Sequence, residues 1–389
     1  MRRQQLARLR RGLPWTTFAV CLLWHLSLGV AAAQTVRVLV AEGRTALRVA
    51  SAGGLTVTDA EGRRILAHRG SSEPFHLILR GHSVLIRETG ASATSLAVWP
   101  GRAAAVDLEG QTYRGYLEVA RMNGSLAAVN VVELEEYLLG VLKDEIPPGW
   151  PGEAAKAVAI AARTYAVYQM QQNLGAFFYL RATTASQVYG GATGEDARTS
   201  WAVQVTRGQI LTFGGQPMAA FYHSCSGGAT EDALDVFGPN FDTVLGVKDD
   251  FSLACPYALW VERFTAQQLG QAFQRFGYAV GRVLRIEDLL RSRTGRILRL
   301  AVYHSRGTLT LDGRRFREIL GNDVIRSTDF EVRADGGGFT FVGRGWGHGV
   351  GLSQWGAKEM ADQGRQYWEI LKFYYPLAEI RQLPGLTGQ

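Results

Sequence analysis

Residues 153–172 read EAAKAVAIAARTYAVYQMQQ. Alanine is the strongest helix former, and unbranched Lys, Met and Gln support it, so a helix is predicted here. The segment offers little polar surface on any side, and a helix that is apolar nearly all round is buried. It is therefore expected to be a central helix on which the rest of the domain packs. Upstream, Pro147-Pro148-Gly149-Trp150-Pro151 interrupts an earlier helical pattern that begins at Leu134-Glu135-Glu136-Tyr137-Leu138. Proline ends a helix because it lacks the N–H and clashes with the preceding turn.

Outward from this helix the chemistry changes. Short β-rich pieces at 36–40, 47–49, 55–58, 75–79, 84–88, 96–99 and 116–119 alternate with turn residues such as Ala52-Gly53-Gly54 and Glu61-Gly62. Downstream, a helix is expected at 197–206 and strands at 209–213 and 217–222. Residues 264–320 read as helix at 267–276 and 286–291 and as strand at 297–303 and 308–311. A helix over 353–363 has Ser353 as its N-cap and Gly364 as its C-cap, and a last helix covers 367–375. The class is α+β: a β-rich region over 34–130 packed on a mixed helix and strand core over 131–380 that carries a groove.

Residues 343–352 read GRGWGHGVGL, with glycine at every second position. In an extended strand this pattern puts Gly343, Gly345, Gly347, Gly349 and Gly351 on one bare face. The other face carries Arg344, Trp346, His348, Val350 and Leu352. Glycine within a strand marks close approach by another backbone or a ligand. An aromatic, an imidazole and a guanidinium on the furnished face suit a sugar or peptide.

The N-terminus reads as a secretory signal over 1–33. Arg2, Arg3, Arg8, Arg10 and Arg11 precede an apolar run at 18–30 and the small residues Ala31-Ala32-Ala33. A retained membrane anchor is the other reading of the same run. Cleavage after Ala33 would lower the net charge from +7 to about +2 (7 minus 5), which leaves no basic surplus suited to nucleic acid. It would also remove Cys21 and leave Cys225 and Cys255. Export places the protein in a periplasm or at a cell wall.

Two constellations could carry chemistry. In Lys143-Asp144-Glu145-Ile146-Pro147-Pro148-Gly149-Trp150-Pro151 a carboxylate sits at a helix end among apolar neighbours. Such surroundings raise a carboxyl pKa, as a general acid working near neutrality requires. The competing reading is two acids flanking a solvated turn. Glycoside hydrolysis needs a second carboxylate. Glu153, Glu231 and Asp232 are the acids near these motifs, but nothing in the sequence ties one of them to Glu145. A single-carboxylate reaction avoids the need: one Glu protonates the glycosidic oxygen and the substrate's own hydroxyl attacks to form an anhydro ring. The second constellation is Tyr222-His223-Ser224-Cys225-Ser226-Gly227-Gly228-Ala229-Thr230-Glu231, with Cys255 thirty residues beyond Cys225. In an exported chain Cys225 and Cys255 read as a disulfide. Zinc held by His223, Cys225 and Cys255, with His348 as a fourth ligand, is the alternative. No nucleophile elbow supports a hydrolase triad at His223.

Three segments together resemble the SpoIID/LytB family of sporulation stage II protein D and amidase enhancers. The first, over 131–165, carries E-x-Y-L-x-G-V, then D-E-I-P-P-G-W-P, then E-A-A-K-A-x-A-I-A-A-R-T-Y-A. The second is the Tyr222 to Glu231 segment. The third, over 343–361, is G-x-G-x-G-H-G-V-G-L-S-Q-W-G-A-K-E-M-A, with Tyr374-Tyr375 after it. The resemblance implies a peptidoglycan lytic transglycosylase acting on glycan strands, with an N-acetylmuramoyl-L-alanine amidase as a functional partner. It implies that Glu145, in the E-I-P motif, is the catalytic acid. It gives substrate-binding or positioning roles to Arg163, Thr164, Tyr165, Ser353 and Gln354, and Trp346 and His348 would line the same groove. Some relatives hold zinc through a His/Cys set around the second motif. Here Ala229 stands where relatives carry histidine, and Cys225 comes one place early, a departure that favours the disulfide and no cofactor. A non-catalytic wall-binding module that activates an amidase is the alternative function.

Overall fold

The computed structural model describes residues 34–102 and 105–384. The signal read at residues 1–33 lies outside them. The described residues form one compact unit.

Among the described residues twelve strands come before the first helix: β1 (Thr35–Arg44), β2 (Ala46–Ala50), β3 (Leu55–Asp59), β4 (Ile65–Arg69), β5 (Phe75–Arg80), β6 (Ser83–Ile86), β7 (Ser92–Ala93), β8 (Ser95–Pro100), β9 (Ala105–Leu108), β10 (Gln111–Arg114), β11 (Tyr116–Met122) and β12 (Ser125–Glu133). Most alternate buried and open positions, as strands with one face on a core must. They form two sheets, one ordered β10-β9-β2-β5-β6-β7 and one that includes β1-β12-β11-β8-β3-β4. Val36, Val49, Leu77, Val84, Val98 and Leu117 from both sheets lie in one hydrophobic core.

That core continues without a break into helices α1 (Leu134–Glu145) and α2 (Gly152–Gln172). The boundary expected at position 130 falls inside β12, which passes straight into α1. Strand β13 (Leu180–Arg181) returns to pair in parallel with β1. The β-rich region and the helices are therefore one body, because their apolar faces are buried against each other. The predicted central helix is present: residues of α2 from Ala154 to Val167 are largely buried. Helix α3 (Ala197–Val205) packs on α1 and α2. Strand β14 (Gln209–Phe213) follows, but the strand expected over 217–222 is only two short pieces, β15 (Gln216–Pro217) and β16 (Tyr222–His223).

After the short helix α4 (Ala233–Phe237), the chain forms a subdomain with its own core, which the sequence reading did not separate. It comprises β17 (Trp260–Thr265), α5 (Ala266–Arg275), β18 (Val283–Arg291), β19 (Ile297–His304), β20 (Gly307–Asp312), α6 (Gly313–Leu320), β21 (Phe330–Asp335) and β22 (Gly338–Gly343). Phe273, Phe316, Phe330 and Phe341 fill its centre. The helix expected over 286–291 is instead the end of β18, paired antiparallel with β19. Cross-strand pairing outweighs the weak helical propensity of that segment.

The chain re-enters the main body through the glycine segment and β23 (Leu352–Ser353). Helices α7 (Gln354–Asp362) and α8 (Tyr367–Tyr374) and strand β24 (Glu379–Gln382) complete the fold. The glycine segment is not the regular strand that alternation suggested. Gly345, Gly347, Gly349 and Gly351 have φ of +73°, +117°, +80° and +68°. These left-handed values are closed to most other residues, so between β22 and β23 the segment winds and makes only isolated bridges. The close approach inferred from the glycines does hold. A Cβ on Gly351 would lie 2.0 Å from the Phe221 carbonyl oxygen, and one on Gly349 2.3 Å from the Arg296 Cζ.

Candidate active site

Helix α1 stops at Glu145 for a local reason. Ile146 precedes Pro147, and a residue before proline is driven out of the helical region. Its φ and ψ are −139° and 145°. The Glu145 side chain is thus delivered at a helix C-terminus, where the helix dipole disfavours a negative charge. Ile146 is buried beside it.

Both carboxylate oxygens of Glu145 are held. The Val188 N–H donates to Oε1 at 3.0 Å, and Gln354 Nε2 donates to Oε2 at 3.1 Å. The nearby Tyr222 hydroxyl also favours the charged form. Burial outweighs these donors and pushes the Glu145 carboxyl up to about 7. The negative charge of Asp144 adds to the rise.

A buried relay stands behind Tyr222. Tyr137 donates its hydroxyl to Gln187 Oε1 at 3.0 Å, and Gln187 Nε2 donates to the Tyr222 hydroxyl oxygen at 2.9 Å. Burial and the nearby Glu145 charge hold the Tyr222 hydroxyl well above its ordinary pKa, so it keeps its proton. Its oxygen already accepts from Gln187, which leaves the hydroxyl proton available to the Glu145 side.

Two elements far apart in sequence bring these groups together. Strands β16 and β23 pair in parallel, Tyr222 opposite Leu352 and His223 opposite Ser353. Ser353 then caps α7, its Oγ accepting from the Gly356 N–H at 3.3 Å, which sets Gln354 at the first helical position beside Glu145. The Tyr375 hydroxyl donates to the Phe221 carbonyl at 2.6 Å and steadies the same ladder. Next to Tyr222 lies a cavity of about 150 Å³ walled by Tyr165, Ser186, Phe221, Phe237 and His348.

The structure distributes the expected site residues unevenly. Gln354 reaches Glu145, and Tyr165 and His348 line the neighbouring cavity. Arg163 does not face a groove. It is 0% exposed, bidentate on Glu135 at 2.8 Å to each oxygen, and bonded to the Val203 and Gln209 carbonyls. Thr164 is equally buried, donating to the Ile160 carbonyl. Ser353 is buried as a cap, not open to a ligand. Trp346 stacks edge-on against Tyr257 at 4.6 Å and does not border the cavity. Sequence reasoning missed Tyr137, Gln187 and Val188. Tyr137 and Tyr222 stood inside quoted motifs, whereas nothing near Gln187 marked it.

The acids considered as second carboxylates are otherwise engaged. Glu153 pairs with Lys156 and accepts from the Tyr367 N–H at 2.9 Å. Glu231 is buried and accepts from the Ser292 and Thr294 hydroxyls. Asp232 accepts from the Gly246 N–H at 2.6 Å.

Cys225 and Cys255 are joined in a disulfide, with Cα atoms 6.6 Å apart. Both sulfurs are thereby removed from the zinc set the sequence left open. Among the described residues no group of three or more His, Cys, Asp or Glu side chains is arranged around a metal position. His348 uses both ring nitrogens on backbone, with Nε2 at 3.0 Å from the Tyr222 carbonyl and Nδ1 at 3.1 Å from the Val350 N–H. Burial, with the charges of Arg317 and Arg296, pushes its pKa down to about 3, so it is neutral. His223 holds the Val350 carbonyl through Nδ1, and burial lowers its pKa as well.

Comparison with known proteins agrees with this organisation. A family profile described as Stage II sporulation protein matches residues 122–213, which carry Glu145 and α2. A second, described as a domain of unknown function (DUF8618), matches residues 239–351 and takes in the inserted subdomain. An uncharacterized protein of Brachyspira hyodysenteriae is 32% identical over 274 residues, covering 70% of this chain and 73% of that one. Stage II sporulation protein D of Bacillus subtilis is 32% identical over 279 residues, covering 67% and 78%. The amidase enhancer of Bacillus subtilis is 29% identical over 287 residues, 61% of this chain and 39% of its own length.

Proposed function

This chain belongs to the stage II sporulation protein D family, and on that premise we propose that it is an exported lytic transglycosylase of bacterial peptidoglycan with Glu145 as its single acid and base. The observation that carries the proposal is the state of Glu145: a carboxyl raised to about 7 and gripped on both oxygens, with Tyr222 beside it in the wall of an aromatic cavity. A group with that pKa is protonated and deprotonated in comparable amounts near neutrality, which suits a residue that must do both jobs in turn.

In the proposed reaction Glu145 gives its proton to the glycosidic oxygen as the bond to the anomeric carbon breaks. The sugar's own hydroxyl then bonds to that carbon, and the Glu145 carboxylate takes the hydroxyl's proton. No water is consumed and the acid is regenerated. One carboxylate is sufficient, in keeping with the engagement of Glu153, Glu231 and Asp232 elsewhere. The Tyr222 hydroxyl and the Gln354 amide stabilise the carboxylate between the two transfers. Tyr165 and His348 would bound the sugar site, and the leader at residues 1–33 would deliver the protein to a periplasm or cell wall.

The test is a digest of purified peptidoglycan, intact and amidase-stripped, by wild type and Glu145→Gln, read by mass spectrometry. Anhydro-ended products from wild type alone are expected. Reducing ends would mean hydrolysis and sink the single-carboxylate mechanism. The name of one relative, amidase enhancer, favours a second reading. There the chain binds the wall and stimulates an N-acetylmuramoyl-L-alanine amidase without turnover, and Glu145→Gln leaves the stimulation intact.

A further inference from the structure

A second concave site is bordered by the Pro147–Trp150 turn. It is a pocket of about 410 Å³ bordered by Pro148, Trp150, Gly152, Arg198 and Trp201. Trp201, the largest apolar side chain on α3, is 46% exposed. Its ring is not loose. A Cβ on Gly152 would sit 3.0 Å from Trp201 Cζ3, so the ring lies against the start of α2 at a position where glycine leaves room for it. The Lys156 ammonium is 5.8 Å from the ring centroid and completes the support.

Three side chains at this pocket carry donors. Among the described residues the Arg198 guanidinium and the indole N–H groups of Trp150 and Trp201 have no hydrogen-bond or ion-pair partner. A chain of side-chain contacts links the pocket wall to the catalytic carboxyl. Trp150 packs edge-on against Trp355 at 5.1 Å, Trp355 follows Gln354, and Gln354 holds Glu145. A rigid aromatic face ringed by free donors matches a pyranose, whose C–H face is apolar and whose hydroxyl and acetamido oxygens accept hydrogen bonds.

We infer that the Trp150–Trp201 pocket is a distal subsite that seats one N-acetylhexosamine residue of the glycan strand on the Trp201 ring. The inference rests on the reading of a glycan substrate for Glu145. Binding there holds the strand across the active site without touching the reacting atoms. Its loss should therefore weaken binding of long substrates and leave the chemical step alone.

The experiment measures binding of a hexamer of N-acetylglucosamine to Glu145→Gln and to Glu145→Gln/Trp201→Ala, together with strand cleavage by wild type, Trp201→Ala and Trp201→Phe. Trp201→Ala is expected to weaken hexamer binding about tenfold and to raise KM on strands by a similar factor, with kcat retained. Trp201→Phe should recover most of the affinity. Equal binding and equal KM with and without Trp201, in a protein that does cleave strands, would overturn the subsite and leave the active-site proposal standing. A wild-type protein that neither binds the hexamer nor cleaves strands would remove both.

Discussion

Gln354 donates its side-chain amide to Glu145 across 3.1 Å although 209 residues separate them in the chain. The bond favours the charged form of the carboxylate and opposes the larger effect of burial. Replacing Gln354 with Leu should therefore move the Glu145 pKa further up. The alkaline limb of the pH–rate profile, expected near pH 7 for a reaction that needs the protonated acid, should shift to higher pH. Tyr222→Phe should shift it in the same direction. An unmoved limb in both variants would mean that the limb reports another group.

The same raised pKa affects folding. Between the ordinary 4.5 and about 7 the folded protein keeps a proton that the unfolded chain has lost. Stability is then lost as pH rises through that window, and the penalty is fully present above it. Glu145→Gln should accordingly be more stable than wild type above pH 7, by about 3 kcal/mol. Below the ordinary carboxylate range the difference should vanish. Paired thermal melts at several pH values measure it, and a gap independent of pH would contradict it.

Arg163 and Glu135 form a buried ion pair inside the fold. Removing only the arginine strands a buried carboxylate, so Arg163→Met should cost about 3–5 kcal/mol. Replacing both, as Arg163→Met with Glu135→Leu, should recover much of that loss. Per folded molecule, KM for glycan should be unchanged. A selective rise in KM without a fall in melting temperature would return Arg163 to a substrate-binding role.

The Cys225–Cys255 disulfide closes a loop with a sequence separation of 30. Loop-closure entropy for that length predicts a loss of about 3–4 kcal/mol on reduction or on double replacement by serine. Denaturant melts with and without reductant test this. An added chelator should not change the oxidised protein's melt. A chelator effect would point to bound metal.

Much of the site was legible because it is local. The E-I-P-P sequence ends α1 and sets one acid among apolar side chains through rules that act over four residues. The alanine-rich segment declared a buried helix for equally local reasons, and Ser353 declared a cap. Alternating glycines declared crowding, since a missing side chain is informative whatever conformation it serves. They did not declare that conformation. Period-two spacing fits a strand, but Gly345, Gly347, Gly349 and Gly351 instead use the left-handed freedom that glycine alone enjoys.

By itself the sequence determined the α+β class, the central helix and the position of the acid, because each follows from backbone and side-chain preferences within a turn or two. Only the tertiary structure decided what surrounds that acid. The pairing of β16 with β23 sets Tyr222 and Gln354 at Glu145, Arg163 turns inward to Glu135, and Cys225 joins Cys255. Those relationships depend on where distant segments return, and the return is set by burial of two hydrophobic cores whose contacts no local pattern encodes.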